Sequence, residues 1–443
     1  MARVYFGTDG IRGRVGEHPM TVDFALRLAS AAARVLAPEG GTALIGKDTR
    51  LSGYMFESAL EAGFVAAGVN VVLMGPLPTP GIAYMTHRLG CRLGVVISAS
   101  HNPFEDNGIK FFDSQGGKLS DELEERIETE LAGEPLTRPS GELGRASRMD
   151  SSRNLYQEFC RSTLPPGVDL AGLKIVVDCA NGAAYKVAPR TLADLGAEIV
   201  PIGSTPNGRN INVGCGSTAP ELLQLTVPGV HAQVGVALDG DGDRLLMVDH
   251  LGRIVDGDQL LYVIARARHA CGQLPGPVVG TLMSNLGLEL ALQRQGIAFE
   301  RVAVGDRYVL ARLRETGGVL GGETSGHILC LDRTTTGDGL VNALQVLAIM
   351  QQEHKSLAEL AAGMSRLPQV MLNVRVAQRF DPVAVPAIAA LLRELTAQLG
   401  QRGRIVLRPS GTEPLIRVMV EAQEEPLARQ CAERLAEAVR TAH

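Results

Sequence analysis

Short runs of β-branched and other apolar residues alternate along this chain with longer segments rich in Ala and Leu. Short apolar runs are typical of strands buried on both faces, and the longer segments between them are typical of crossover helices. The alternation predicts repeated α/β units with parallel or mixed sheets. At 443 residues the chain is too long for one ordinary hydrophobic core, so three or four such domains are expected.

The predicted strands fall into three sets, one for each of three similar domains. The sets are 42–48, 69–75 and 93–99; then 173–179, 197–203 and 234–240; then 277–283, 299–305 and 318–323. Predicted helices at 21–36, 54–67 and 79–90 connect the strands of the first set.

The pattern changes after Ser365 to a smaller α+β unit, with a long helix near 382–399 and a final helix from about Glu425. The expected fold class is therefore α/β, with three similar mixed-sheet α/β domains in series and a smaller C-terminal α+β domain around a central cleft. The expected domains are 1–150, 151–255, 256–366 and 367–443. The stretch 132–150 is rich in Gly, Pro and Ser and is predicted to be a linker.

The amino-acid composition limits the kinds of molecule that this protein can bind. The formal net charge of −5 and the pI near 6.0 leave no broad cationic surface for a nucleic acid backbone. No uninterrupted apolar run reaches the ~18 residues of a membrane span, and the polar, Gly-rich N-terminus is unlike a signal peptide. The seven scattered Cys form no C-x-x-C pair, which favours free thiols. We expect a cytoplasmic protein that binds a small molecule and neither nucleic acid nor membrane.

A polar loop follows the third predicted strand, and in open α/β sheets ligands bind beyond the carboxyl ends of the strands. The run Val96–Pro103 (VISASHNP) ends an apolar strand in a hydroxyl, an imidazole and an Asn-Pro turn, which exposes Ser100. Taken alone, such a segment is more often a turn whose hydroxyl satisfies local backbone groups. Lys110 follows closely and brings an ammonium that can approach a phosphate.

The run Asp239–Arg244 (DGDGDR) places three carboxylates at alternate positions with glycines between them. Alternate side chains of an extended segment share one face, so the carboxylates can converge on a hard cation. A calcium EF-hand begins in the same way, but it requires Gly where Arg244 stands and Glu where His250 stands. The remaining alternative is a solvated acidic turn, and the apolar runs on both sides favour a metal site instead.

Two further loops follow apolar strands. Gly322–His327 (GETSGH) offers Glu323 and Ser325 on alternate positions, which suits a pair of sugar hydroxyls. Arg408–Pro414 (RPSGTEP), with Arg417 after it, combines guanidiniums, hydroxyls and backbone amides in the manner of a phosphate site. His327 is open to two interpretations, as a proton carrier or as a structural histidine.

These four loops, in this order, resemble those of the α-D-phosphohexomutase superfamily, and the resemblance covers essentially the whole chain. In that superfamily four successive domains supply a phosphoserine, a metal loop, a sugar loop and a phosphate loop. The runs Tyr5–Gly13 (YFGTDGIRG) and GETSGH resemble the branch that interconverts glucosamine 6-phosphate and glucosamine 1-phosphate, a step that feeds UDP-N-acetylglucosamine synthesis. The resemblance implies an isomerase that works by intramolecular phosphotransfer.

The resemblance also implies a role for each matching residue. Ser100 would carry the transferable phosphoryl group, and one Mg²⁺ per chain would bind a phosphoserine oxygen, Asp239, Asp241 and Asp243. The catalytic candidates are Ser100, Arg12, His101, Lys110 and His327. The substrate-binding candidates are Arg244, Gly305, Asp306, Arg307, Glu323, Ser325, Arg408, Ser410, Gly411, Thr412 and Arg417. A hexosamine 1,6-bisphosphate would be the activator, and a homodimer is carried as the hypothesis for the assembly.

Three alternatives stay open at this point. A sibling mutase for mannose or glucose phosphates would use the same chemistry with another sugar. A metal-dependent phosphatase would use the acidic loop to release free phosphate. A non-catalytic sugar-phosphate binding protein would leave Ser100 an ordinary turn residue.

Overall fold

The computed structural model describes residues 3–378, 380–410 and 414–442. Their strands form four separate sheets in chain order, with six, five, four and three strands. The first three sheets are mixed and carry helices, and the fourth is antiparallel. The predicted fold class is therefore confirmed.

The first sheet has the strand order β1-β5-β4-β2-β3-β6. Its strands are β1 (Ile11–Arg14), β2 (Gly41–Lys47), β3 (Val69–Pro76), β4 (Leu93–Ile97), β5 (Asp106–Phe112) and β6 (Ala146–Arg148). Its helices are α1 (Val22–Leu36), α2 (Ser52–Ala66), α3 (Thr79–Arg88) and α4 (Asp121–Leu131). Side chains alternate between the two faces of a strand, so Ala43 and Ile45 of β2 pack in one core and Leu44 packs in another.

The second sheet has the order β11-β10-β9-β7-β8. Its elements are α5 (Ser152–Ser162), β7 (Lys174–Asp178), α6 (Val187–Asp194), β8 (Glu198–Ile202), α7 (Glu221–Gly229), β9 (Val234–Leu238), β10 (Leu245–Asp249) and β11 (Ile254–Val255). Strands β7, β8 and β9 are parallel, and β10 returns antiparallel to β9. The acidic loop 239–244 is the turn between β9 and β10.

The third sheet has the order β13-β12-β14-β15. Its elements are α8 (Gly257–Ala270), β12 (Val278–Thr281), α9 (Leu286–Arg294), β13 (Phe299–Val302), α10 (Asp306–Thr316), β14 (Leu320–Gly322), β15 (Ile328–Cys330), α11 (Gly339–Glu353) and α12 (Leu357–Ala361). The GETSGH loop joins the antiparallel strands β14 and β15. Helix α11 is buried over most of its length, because it packs between the second and third units.

The C-terminal sheet has the order β16-β18-β17. Its elements are β16 (Gln369–Arg375), α13 (Pro386–Leu399), β17 (Gly403–Pro409), β18 (Leu415–Ala422) and α14 (Glu425–Thr441). One face of the sheet packs on α13 and α14 in a core of its own. Within the part of the chain that is described, no helix is long and apolar enough to cross a membrane.

Two sequence expectations differ from the structure. The stretch 132–150 is not only a linker, since its end forms β6, which pairs in parallel with β3 at the edge of the first sheet. The long helix expected near 382–399 is divided into a short 3₁₀ turn, Pro382–Ala384, and α13. Proline favours the first turn of a helix, so Pro386 starts a new helix there and does not continue the preceding turn.

A buried ion pair within the C-terminal domain forms hydrogen bonds to the third domain. Glu421 of β18 is fully buried and accepts hydrogen bonds from Arg404 Nε at 2.6 Å, Leu286 N at 2.9 Å and Asn285 Nδ2 at 3.3 Å. Arg404 also donates through Nη2 to the Ser284 carbonyl at 2.6 Å. The contact anchors the base of the C-terminal sheet to the N-terminus of α9.

We predict that Glu421→Gln loosens the C-terminal domain. The variant removes a charge that Arg404 meets in a buried site, which costs about 3 kcal/mol when one partner of such a pair is lost. Limited proteolysis should cut the variant faster near residues 362–368, and urea unfolding should begin at a lower concentration. The control is Glu394→Gln, which breaks the exposed pair with Arg434 and should behave as wild type. Equal behaviour of the two variants would contradict the role given to Glu421.

Candidate functional site

The loop after β4 meets the loop after β9 at the boundary between the first two sheets. Ser100 Oγ donates a hydrogen bond to Asp239 Oδ2 at 2.5 Å, although 139 residues separate them. Ser100 has a left-handed backbone with φ of 52°, which is uncommon for a residue with a Cβ. The structure thus brings the predicted serine and the predicted acidic loop into direct contact.

The three carboxylates of the acidic loop converge. Single oxygens of Asp239, Asp241 and Asp243 lie within 4.8 Å of one another, and all three residues are buried. Burial raises the pKa of Asp239 well above its usual value, and the charges of Asp243 and Asp241 raise it further. Among the described residues, Asp241 Oδ1 and Asp243 Oδ1 are buried without a hydrogen-bond partner. Unsatisfied, converging carboxylate oxygens fit a hard divalent cation such as Mg²⁺.

Lysine and arginine side chains offset part of this negative charge. Lys110 Nζ lies 2.8 Å from Asp241 Oδ2 and 2.7 Å from Asp9 Oδ2. Asp9 also pairs with Arg12 at 2.5 Å and with Lys118 at 2.6 Å, so one carboxylate holds three cations at the wall of the cleft. Burial opposes the charge of Lys110, but Asp241 and Asp9 outweigh it and raise its pKa.

The two candidate histidines have opposite environments. His101 Nδ1 lies 3.3 Å from Ser100 Oγ; burial lowers its pKa to about 4, and Arg244 and Arg12 contribute to the fall. His327 is buried between Asp243, at 3.6 Å from Nδ1, and Asp306, at 3.2 Å from Nε2. Burial alone would lower the pKa of His327, but the two carboxylates raise it to about 10. The surroundings thus favour the neutral form of His101 and the protonated form of His327.

The loops of the third domain form another wall. Glu323 Oε1 accepts a hydrogen bond from Gly305 N at 3.1 Å, which ties the GETSGH loop to the start of α10. Asp306 accepts from Lys118 Nζ at 2.5 Å, which joins this wall to the first domain. Ser325 is exposed on the same loop. Arg307 instead pairs with Asp121 of α4 at 2.6 Å, so its guanidinium is engaged between domains.

The C-terminal domain contributes two arginines on neighbouring strands. Arg408 of β17 and Arg417 of β18 lie opposite each other in the antiparallel register. Burial lowers the pKa of Arg408 and the nearby charge of Arg417 lowers it further. Ser410 is buried beside them, and its N–H donates to the Leu415 carbonyl. Gly411 and Thr412, which the sequence also predicts to bind phosphate, lie outside the described residues.

These walls enclose a cavity of about 680 Å³ with residues from all four domains at its surface. Its lining includes Arg12, His101, Arg244, Asp306, Glu323 and Arg417. Within the described residues, the buried Nε atoms of Arg12, Arg244 and Arg417 have no hydrogen-bond partner. Unsatisfied guanidinium donors around a cavity of this size favour an anionic ligand with groups at both ends.

Sequence reasoning missed several residues of this site. Asp9 and Lys118 were not singled out because they lie 109 residues apart, and a lone charge in a polar stretch gives no signal. Arg50 and Asn212 were missed for the same reason, although both donate to the Ser100 carbonyl. The run GKDTR directly after β2 was the available signal for Arg50, since polar loops at strand ends mark ligand sites.

A serine in contact with three buried, converging carboxylates, beside a cleft lined with arginines, is the arrangement of a phosphotransferase. Four successive family models match this chain, described as phosphoglucomutase/phosphomannomutase α/β/α domains I, II and III and C-terminal domain. They match residues 3–137, 159–252, 256–367 and 371–438. The chain belongs to the phosphoglucomutase/phosphomannomutase family.

Three curated relatives of high identity carry the name phosphoglucosamine mutase. A phosphoglucosamine mutase of Halorhodospira halophila is 59% identical over 442 residues, covering 99% of this chain and 97% of its own. Phosphoglucosamine mutases of Methylococcus capsulatus and Alkalilimnicola ehrlichii are 57% and 56% identical, covering 99% and 100% of this chain and 99% and 98% of their own. The similarity extends over the full cleft and all four domains.

Solved structures share the fold at lower identity. A phosphoglucomutase/phosphomannomutase family protein of Burkholderia thailandensis matches with a TM-score of 0.80 at 24% identity, covering 98% of this chain and 97% of its own. An Aspergillus fumigatus N-acetylphosphoglucosamine mutase, solved with GlcNAc-6P and magnesium, matches with a TM-score of 0.70 at 19% identity, covering 99% and 96%. These matches support the four-domain architecture.

We predict that Asp241→Asn abolishes tight binding of the divalent cation. Affinity for a hard cation depends on the number of charged oxygens, so isothermal titration with Mn²⁺ should show weaker binding by about 100-fold or more. Activity should fall by orders of magnitude while the far-ultraviolet circular dichroism stays unchanged. The matched control is Asp194→Asn in the same domain, which breaks a surface pair with Arg161. Wild-type turnover in excess chelator would contradict the metal assignment.

Proposed function

We propose that this enzyme interconverts glucosamine 6-phosphate and glucosamine 1-phosphate through a phosphoserine at Ser100. The contact between Ser100 Oγ and Asp239 carries the proposal. The neighbouring residues His101 and Asp243 line the cavity, together with arginines that suit a ligand with two anionic groups. The full-length identity with phosphoglucosamine mutases supports the choice of sugar. A glucosamine 1,6-bisphosphate is the intermediate and the activator in this proposal.

The reaction consists of two phosphoryl transfers. In the first, the Oγ–P bond of phosphoserine breaks as the free sugar hydroxyl bonds to phosphorus, and the proton of that hydroxyl passes to a base of the cleft. In the second, the original phosphate of the sugar transfers to Ser100 Oγ and restores the phosphoenzyme. Transfer of this type needs alignment and charge neutralisation more than covalent assistance.

The residues of the cleft divide this work. Asp239, Asp241 and Asp243 with a phosphoserine oxygen would hold one Mg²⁺, which neutralises charge on the phosphoryl oxygens when bound. Arg12, Lys110 and Arg244 surround the reacting phosphate. Glu323 and Ser325 bind sugar hydroxyls, and Arg408 and Arg417, with the phosphate loop that carries Ser410, Gly411 and Thr412, bind the phosphate that is not reacting.

Only one end of the sugar can lie beside Ser100, so the bisphosphate has to turn over between the two transfers. Arg408 and Arg417 accept either phosphate, because a guanidinium recognises the phosphate dianion and not its position on the sugar ring. Enclosure by four domains excludes water, which would otherwise take the phosphoryl group. A phosphatase with the same residues would need no second phosphate site, and the arginines of the C-terminal domain therefore favour the mutase.

We predict that Ser100→Ala removes both the phosphoenzyme and the isomerisation. Intact mass should show a fraction of the wild type that is heavier by one phosphoryl group, and the variant should lack that fraction. Ser58→Ala is the control, since Ser58 lies in α2 of the same domain and its exposed hydroxyl donates to the Tyr54 carbonyl within that helix. Release of free phosphate as the main product would favour the phosphatase.

We predict that glucosamine 6-phosphate is the preferred substrate. Its kcat/KM should exceed those of mannose 6-phosphate and glucose 6-phosphate by about tenfold or more, because a site built for an amine loses a buried contact with a hydroxyl analogue. Coupled assays with Mg²⁺ and a trace of the matching bisphosphate measure all three. A much higher kcat/KM for mannose 6-phosphate or glucose 6-phosphate would instead assign the chain to a sibling mutase for that sugar.

The domain limits, the homodimer and the cytoplasmic location stay predictions.

A further inference from the structure

The carbonyl groups of the Ser100 loop converge on one buried guanidinium. Arg50 lies in the loop after β2 and is fully buried. Its Nη2 donates to the Ser100 carbonyl at 3.0 Å and to the Asn102 carbonyl at 2.9 Å, and its Nη1 donates to the Pro103 carbonyl. A single side chain thus turns three carbonyl oxygens of the loop in one direction.

Asp48 fixes Arg50 and reaches the other side of Ser100. Its Oδ2 accepts from Arg50 Nε at 2.8 Å and from Ser98 Oγ at 2.6 Å. Ser98 Oγ in turn accepts from Ser100 N at 3.0 Å. Both the N–H and the carbonyl of Ser100 are therefore held through the Asp48–Arg50 pair.

A residue of the second domain completes this arrangement. Asn212 Nδ2 donates to the Ser100 carbonyl at 2.9 Å and to the Asn102 carbonyl at 3.1 Å. A Cβ at Gly240, between two of the metal-binding carboxylates, would lie 2.4 Å from the Ser100 carbonyl oxygen. The Ser100 carbonyl is thus enclosed by Arg50, Asn212 and the backbone of the acidic loop.

We propose that Arg50 and Asn212 are positioning residues that hold Ser100 in its left-handed conformation for phosphoryl transfer. This conformation is strained for a residue with a Cβ, so it persists only where surrounding contacts impose it. The proposal rests on the proposed function, since it gives the two residues a task only if Ser100 carries the phosphate.

The arrangement has a direct consequence for the reaction. With its carbonyl held by Arg50 and Asn212, Ser100 directs Oγ to Asp239 and the acidic loop. Without these donors the serine relaxes toward an ordinary extended conformation and Oγ leaves that position. A displacement of about 1 Å at a reacting atom costs on the order of 100-fold in rate, and a misaligned phosphoserine gives water a larger share of the transfers.

The test compares Asn212→Ala and Arg50→Lys with two matched controls. Gln345→Ala removes a buried amide that donates to the Thr163 carbonyl between two domains. Arg268→Lys alters another buried arginine, paired with Asp332 far from the serine. For every variant the kcat, the KM for glucosamine 6-phosphate, the ratio of free phosphate to isomerised product, and the melting temperature are measured with Mg²⁺ and bisphosphate present.

We expect kcat to fall about tenfold in Asn212→Ala and about 100-fold in Arg50→Lys, with KM within about threefold of wild type. The share of free phosphate should rise in both, and in neither control. A purely structural role would lower the melting temperature and leave kcat per folded molecule and the product ratio unchanged, which would overturn the inference.

If Arg50→Lys does not fold, Asn212→Ala decides the question alone. If the wild type is active and phosphorylated but Asn212→Ala keeps the wild-type kcat and product ratio, only this inference is wrong. If the wild type has no isomerase activity, the proposed function is wrong.

Discussion

The contact between Ser100 and the acidic loop determines how the rest of the molecule is arranged. Three buried carboxylates repel one another, and the repulsion is strong in a site that excludes water. The loop can be stable only if cations face it, whether a metal ion or the side chains of Lys110 and Arg244. The serine that meets these carboxylates comes from the first domain. The site therefore adds a polar contact between the first two domains, which also share a hydrophobic core.

Charge balance explains why ion pairs connect the walls of the cleft. Asp9 holds Arg12, Lys110 and Lys118, and Lys118 crosses to Asp306, which also faces His327. Each carboxylate orients a cation that would otherwise be free to adopt several rotamers, so the donors are positioned before a ligand arrives. Such preorganised charge is effective because the protein need not reorganise during transfer. The first and third domains are thereby connected through charged side chains that line the cavity.

Much of this was predictable from sequence. The fold class and the four loops follow from apolar strands that end abruptly in polar runs, because that pattern is local. The family was inferred from the resemblance of the four loop sequences, in their order, to those of known members. The edge strand β6 was not predicted, since its three residues carry no apolar pattern and pair only because β3 offers a free edge. Asp9, Lys118, Arg50 and Asn212 were missed because each acts through a partner brought close by folding. Arg307 was expected at the substrate, but the fold places a carboxylate of α4 beside it.

The C-terminal sheet shows how one strand can serve two purposes. Successive side chains of a strand point to opposite faces, so Arg417 and Glu421 of β18 share a face, as do Arg404 and Arg408 of β17. The other face packs on α13 and α14. The Arg404–Glu421 contact with the third domain and the Arg408–Arg417 pair at the cavity therefore lie on one surface, about 13 Å apart along the strands. A small rotation of the sheet about the buried contact moves the two arginines much more than the contact itself. The way this domain docks on the third domain therefore also sets the position of Arg408 and Arg417 at the cavity.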